Sequence, residues 1–289
     1  MFNSRYFGPF FRNTVFSLSV LTTASLSAVG QNPSKNDPTP LFKKLAARDE
    51  LNKGVKAFRK AHYDEAITRF QKSTELDPDL PMAKQYLGTA LASTVVPGLG
   101  TPENLGTAER AISIFLEVLD SNPHDVNTMK QVASVYYNIK KPEEAKTWQK
   151  KVLVEDPKDP EAAYTIGAID WDEANQNVLA MLTPVGLKDD GEGNISAPKW
   201  VLETIKAQNG ARVEEGLKYL FQALDSRPNY DDAMAYVNLM FRRKADLDWD
   251  NETARRDDMT KAIEWTTKAM DARKANEEKK STRPDPVKQ

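Results

Sequence analysis

The sequence predicts an all-α protein, a right-handed solenoid of about five helical hairpins. Three observations carry that prediction. From Leu41 onward the apolar residues keep helical spacing, and strand-like alternation is scarce. Prolines at Pro78, Pro123, Pro157 and Pro228 each close an amphipathic segment, in "LDPDL", "SNPHD", "EDPKD" and "SRPNY". Aligned on those prolines, the segments place a small residue twelve positions upstream (Ala66, Ala111, Ala145, Gly216) and a bulky or long one eight upstream (Phe70, Phe115, Gln149, Leu220).

The elements follow in chain order. Arg5 and Arg12 give a positive start, and "TVFSLSVLTTASLSAVG" then runs from Thr14 to Gly30 without a charge. Ala28 and Gly30 supply the small residues of a signal-peptidase site before Gln31, so residues 1–30 read as a cleaved secretory signal. The run is too short and too rich in Ser and Thr for a comfortable membrane span. "QNPSKNDPTP", residues 31–40, is a polar linker, and the solenoid is expected over residues 41–275. Its second helices are "DEAITRFQKSTEL", "ERAISIFLEVLDS", "EEAKTWQKKVLVE" and "EEGLKYLFQALDS", and each proline is followed by the next first helix. The charged stretch 276–289 reads as a fraying helix end and a disordered tail.

This pattern resembles the tetratricopeptide repeat, a helix–turn–helix unit of about 34 residues. Gly54, Ala66, Phe70, Ser73 and Pro78 stand at its Gly, Ala, Phe, small and Pro positions, in a unit from Ala47 to Leu80. Leu87 and Gly88 open the second unit. Ala133, Tyr136, Ala145 and Pro157 mark the third, Ile166 and Gly167 the fourth, and Ala262 and Ala269 the fifth. Gln149 departs from the pattern where an aromatic is usual, and Asn238 where a small residue is. The physical logic is close approach of paired helices at the small positions, with stacking that buries a face no single unit could bury alone. "DDAMAYVNLMFRRKADLD" also resembles the last repeat of some bacterial secreted proteins of this family, which agrees with export.

The proline phase shows where length has been added. Pro123 to Pro157 spans one period of 34, whereas Pro78 to Pro123 spans 45 and Pro157 to Pro228 spans 71. The fifth unit is longer by about a dozen, judged by Ala262 against the repeat period. Units 2, 4 and 5 are therefore expected to carry insertions between their paired helices, as loops along one edge. "VVPGLGTPEN" and "LTPVGLKDDGEG" set apolar residues around Pro and Gly, which suits either an exposed contact surface or a strand of chain folded back over the helices.

Composition narrows the chemistry. With 40 basic against 42 acidic residues there is no basic field for nucleic acid. Cysteine is absent, which removes disulfides, thiolate zinc sites and a thiol nucleophile. "KDDGEGNISAPK" has part of a calcium-loop pattern, but Lys188 and Lys199 occupy the positions of the strongest anionic ligands, so it reads as a turn. His62 and His124 fall at helix boundaries and read as structural. No nucleophile, phosphate-cradling or cofactor motif is present.

The resemblance implies that the first helix of each pair lines a concave groove. Its groove positions fall on Lys130, Ser134, Tyr137 and Asn138 in unit 3, Tyr164, Trp171 and Asp172 in unit 4, and Leu239, Arg242 and Arg243 in unit 5. Aromatics with Arg and Asn suit a surface that grips a protein or peptide segment. Ser134 stands where the family's carboxylate clamp needs Asn, so that specificity does not carry over. The expected function is a non-enzymatic scaffold of the cell envelope, exported and periplasmic or secreted, with a protein or peptide partner and no cofactor. Two other readings are a hydrolase using carboxylates of the 173–215 insert and a structural spacer. The spacer predicts buried groove aromatics, and the hydrolase two carboxylates converging in a pocket.

Overall fold

The structure, a computed structural model, describes residues 39–281. Residues 1–38 and 282–289 lie outside that range, and with them the expected signal segment, its Gly30–Gln31 cleavage site and most of the linker.

The described residues form ten α-helices in five consecutive pairs: α1 (Thr39–Arg59) with α2 (Tyr63–Leu76), α3 (Pro81–Thr94) with α4 (Pro102–Ser121), α5 (Val126–Asn138) with α6 (Pro142–Glu155), α7 (Pro160–Leu182) with α8 (Lys199–Ser226), and α9 (Asp231–Leu247) with α10 (Glu252–Ser281). The phased prolines do one job four times. Asp77, Asn122, Asp156 and Arg227 end their helices at nearly one backbone conformation, φ/ψ −142/88, −139/81, −129/89 and −137/87. The proline that follows each keeps it out of the helical region. Each link then closes as a turn, with the amides of Leu80, Asp125, Asp159 and Tyr230 donating to the carbonyls of those four residues at 3.1–3.2 Å. Identical links give successive pairs a repeated step, which is what makes a stack.

Within a pair, tight approach falls where the small residues predict it. A Cβ on Gly54 would lie 2.5 Å from the Phe70 ring, one on Gly88 2.7 Å from Phe115, and one on Gly167 2.5 Å from Leu220 Cγ. Gln149 is buried in unit 3 at the position where pairs 1, 2 and 4 bury Phe70, Phe115 and Leu220. The short turns of pairs 1 and 3 are Schellman closures. Ala61 and Lys140 take φ of 59 and 61, and the amides of His62 and Lys141 donate back to Ala57 and Tyr136.

Odd-numbered helices also touch one another, α1 with α3, α3 with α5, and α7 with α9. The even-numbered helices approach one another less closely, α6 and α8 meeting through the long side chains of Lys146, Lys150 and Glu215. The odd helices are therefore the more closely spaced, inner layer of the curve, and the even helices the outer one.

The added length is not mainly loop, which corrects the expectation of edge loops. In pair 2 it forms residues 95–101 and a lengthened α4. In pair 4 it extends α7 and α8 to 23 and 28 residues, joined by a 3₁₀ turn at Thr183–Val185 and the segment 186–198. In pair 5 it lengthens the helices themselves, and only residues 248–251 connect them. The reason lies in the apolar spacing. Val178 and Leu182 of α7 meet Val201, Leu202 and Ile205 of α8, so the two extensions bury a small core of their own. A free loop of that length would have gained nothing for its ordering entropy. α10 continues as helix to Ser281, past the expected end of the solenoid at 275.

Candidate functional site

The inner layer gathers aromatic rings from three helices. α5 supplies Tyr137 in its last turn. α7 supplies Tyr164 and, seven residues on and therefore on the same face, Trp171. Tyr230 precedes the first turn of α9, and Tyr236 lies within it. Tyr164 sits against Tyr230 at 4.9 Å between centroids and edge-on to Tyr236 at 5.5 Å. Trp171 meets Tyr236 edge-to-face at 5.4 Å and 89°. These are the geometries that ring quadrupoles favour. All five side chains are half-buried. That outcome lies between the full exposure a bare groove would give and the burial expected of a spacer.

Burial also fixes their charge. It pushes the Tyr137 hydroxyl up to about 12, with the negative charge of Asp172 adding to the effect. Burial likewise lifts Tyr164, Tyr230 and Tyr236 above the ordinary tyrosine range, so the rings stay neutral at physiological pH. Asp172, next to Trp171 on α7, adds to the rise at both Tyr137 and Tyr236. Burial pushes that carboxyl up, while Lys140 and the amide of Gln176, which donates at 2.8 Å, pull it back.

The remaining predicted residues divide. Ser134, Asn138 and Leu239 are half-buried on the inner helices. The Asn138 carbonyl accepts from Gly98 at 2.8 Å, which ties the 95–101 segment to α5. Lys130 is drawn to the start of α7, where it pairs with Asp159 and Glu161. Arg242 donates to Asn238 and to the carbonyl of Gly191, at 3.2 and 3.1 Å. Arg243 is not a groove residue, which corrects the sequence expectation. It is 3% exposed, with Nη2 donating to both Asp189 oxygens at 2.9 and 2.8 Å and Nη1 3.3 Å from Asp246. Adjacent positions on a helix point about 100° apart, so one arginine borders the groove and the next enters the core.

Sequence reasoning missed Tyr230, Tyr236 and this buried lock. Tyr236 falls one place past a groove position, and Tyr230 belongs to the proline link. The lock explains the calcium-like stretch: Asp189 and Asp190 accept from the amides of Gly191, Glu192 and Asn194 as turn formers. Asn194 donates inward to Asp246 at 2.8 Å. No cluster of three or more His, Cys, Asp or Glu side chains suited to a metal occurs among the described residues.

Carboxylates do converge near the insert, but on a lysine. Lys146 of α6, buried, lies 2.7 Å from Asp170, 3.1 Å from Glu143, 3.4 Å from Glu215 and 3.6 Å from Glu173. Arg212 and Lys150 pair with Glu173 and Glu215 from the other side. Burial opposes the charge of Lys146, yet Asp170 and Glu143 prevail and hold it protonated. The cluster cements α6, α7 and α8. A shallow depression of about 430 Å³ lies elsewhere, on α10, lined by Thr260, Ile263, Glu264, Thr267 and Lys268.

Five stacked helical pairs with an inner layer of first helices define a helical-repeat solenoid of the tetratricopeptide kind. The solved structures agree. MamA from Desulfovibrio magneticus RS-1 superposes with a TM-score of 0.52 at 19% identity, over 80% of this chain and 96% of that one. Another MamA crystal structure gives 0.51 at 13% identity, over 84% and 98%. YrrB, described as a TPR protein with an unusual peptide-binding site, gives 0.45 at 14% identity, over 78% and 90%. At these identities the likeness to MamA shows the fold alone. No family model and no curated protein matches the chain.

Proposed function

We propose that this chain is a non-enzymatic scaffold that holds a protein or peptide segment against the inner face of α5, α7 and α9. The observation that carries the reading is the half-buried aromatic wall of Tyr137, Tyr164, Trp171, Tyr230 and Tyr236. Large rings fixed on helices offer contact area at little entropic cost, the property that anchors protein interfaces. The test places a photo-cross-linking amino acid at Ser134, beside the wall, or at Val154, exposed on outer helix α6. Adducts formed at 134, absent at 154 and lost in a folded Trp171→Ala/Tyr236→Ala variant support the reading. Equal labelling at both positions, or none, favours the spacer.

The scaffold belongs outside the cytoplasm on this reading, because Arg5, Arg12 and the uncharged run to Gly30 have the order of a secretory signal. Amino-terminal sequencing of the protein from fractionated native cells should give a chain beginning at Gln31 in the envelope or medium. A full-length chain in the cytosol would refute export.

A further inference from the structure

The inner face of α5, α7 and α9 is matched to a cation, and from this we propose that the bound segment presents a lysine or arginine side chain to Asp172 and the rings of Tyr137, Trp171 and Tyr236. The proposal rests on the groove reading above and specifies its ligand chemistry.

The argument is one of charge complementarity. Most cations beside this face already meet carboxylates. Lys130 is held by Asp159 and Glu161, and Arg227 lies 3.3 Å from Glu161 with its guanidinium over the Tyr230 ring. Arg273 pairs with Asp231 and Asp232 at 2.9 and 3.1 Å, while Arg242 donates to the neutral groups of Asn238 and Gly191. At Lys130, Arg227 or Arg273 an incoming carboxylate would have to displace the acid already there. Asp172 differs from the other acids of the face. Its hydrogen bond goes to the neutral amide of Gln176, and Lys140, exposed at the rim, acts on it through space. Around it stand neutral rings, whose electron-rich faces attract an ammonium or guanidinium. A half-buried carboxylate beside such rings gains more from a cation than it would in bulk water, because the local dielectric is lower.

Displayed random dodecapeptides, selected on the wild-type protein and then synthesised for fluorescence anisotropy, test this. The expected winners carry Lys or Arg beside an apolar residue. They weaken roughly tenfold when that cation is replaced by Gln, and by a similar factor on Asp172→Asn, which keeps the bond to Gln176. Winners that require Trp171 and Tyr236 but are acidic, or indifferent to Asp172→Asn, overturn the cation proposal and leave the groove reading standing. Winners indifferent to Trp171→Ala/Tyr236→Ala, or no winners from a folded protein, overturn both. Unchanged helical circular dichroism in each variant keeps these outcomes separate from misfolding.

Discussion

Replacing Arg243 by methionine tests whether the lock between the insert and α9 is structural. The methionine stem keeps most of the side-chain volume, so the perturbation removes charge and hydrogen bonds and leaves little cavity. Asp246, fully buried, would keep only the Asn194 amide, and Asp189 only the donors of its own turn and Asn194. Removing one partner of a buried ion pair costs about 3–5 kcal/mol, since the charge left behind is uncompensated. The loss must also depend on pH. Burial already pushes the Asp246 carboxyl up to about 7 against the pull of Arg243, and removing Arg243 pushes it higher. A carboxyl whose folded value exceeds its unfolded one subtracts stability as pH rises from the unfolded value through the folded one. Asp189, which Arg243 helps hold below the ordinary carboxylate range, loses that support at pH 5 and pH 8 alike. The Asp246 share adds to it only as pH rises through about 7, so the variant should be weakened at pH 5 and weaker still at pH 8. Urea unfolding followed by circular dichroism measures the loss, and hydrogen exchange should localise it to residues 186–198 and α9. Adding Asp246→Asn should recover part of the stability at pH 8. A loss below about 1 kcal/mol at pH 8, or one equal at both pH values, would refute the reasoning.

Other substitutions probe the stack itself. Gly167→Ala should destabilise by about 1–2 kcal/mol, since overpacking against Leu220 and the Gly216 carbonyl outweighs the better helix propensity of alanine. Gly210→Ala meets nothing within 4 Å and should stabilise by about 1 kcal/mol, so thermal melts of the two must move in opposite directions. Ala61→Gly relieves a left-handed alanine at a helix end and should add about 0.5–1 kcal/mol, read as a higher urea midpoint. Asn104→Ala removes side-chain bonds to the Val96 amide and to the Val96 and Leu99 carbonyls. It should cost about 1–3 kcal/mol and speed amide exchange in residues 95–101.

The parts of this fold legible in the sequence are those governed by local geometry. A proline after Asp77, Asn122, Asp156 or Arg227 fixes the turn whatever surrounds it, and small residues at helix contacts leave a fixed spacing behind. What the added residues become is decided by tertiary pairing. Counting from the prolines places the extra length of unit 4, but that it becomes helix depends on Val178 and Leu182 meeting Val201 and Ile205 across the arm. The half-buried placement of Tyr137, Tyr164, Trp171 and Asp172 was legible, because the repeat fixes which face of α5 and α7 turns inward. It was misread at Arg243, whose partner Asp189 lies 54 residues away in the insert, where no repeat position exists. Tyr230 and Tyr236 escaped because the first belongs to the proline link and the second falls one place past a groove position of α9.

The placement of these groups makes α7 the organising element. Gly167 admits Leu220 of α8, Asp170 turns to Lys146 of α6, Trp171 and Asp172 turn to the inner face, and Glu173 meets Arg212. Four consecutive residues thus serve α6, the groove and α8 in turn, as a helix stepping about 100° per residue requires. The aromatic wall is therefore set on a helix clamped from two sides. Its far boundary is fixed too, because Arg242 of α9 donates to the Gly191 carbonyl of the insert. The insert need not touch a partner to matter for binding: by anchoring α9 through Arg242 and Arg243 it holds Tyr236 opposite Trp171. A groove made of rings from different helices keeps its shape only if those helices keep their spacing, and the 37 residues by which unit 4 exceeds one period supply that restraint.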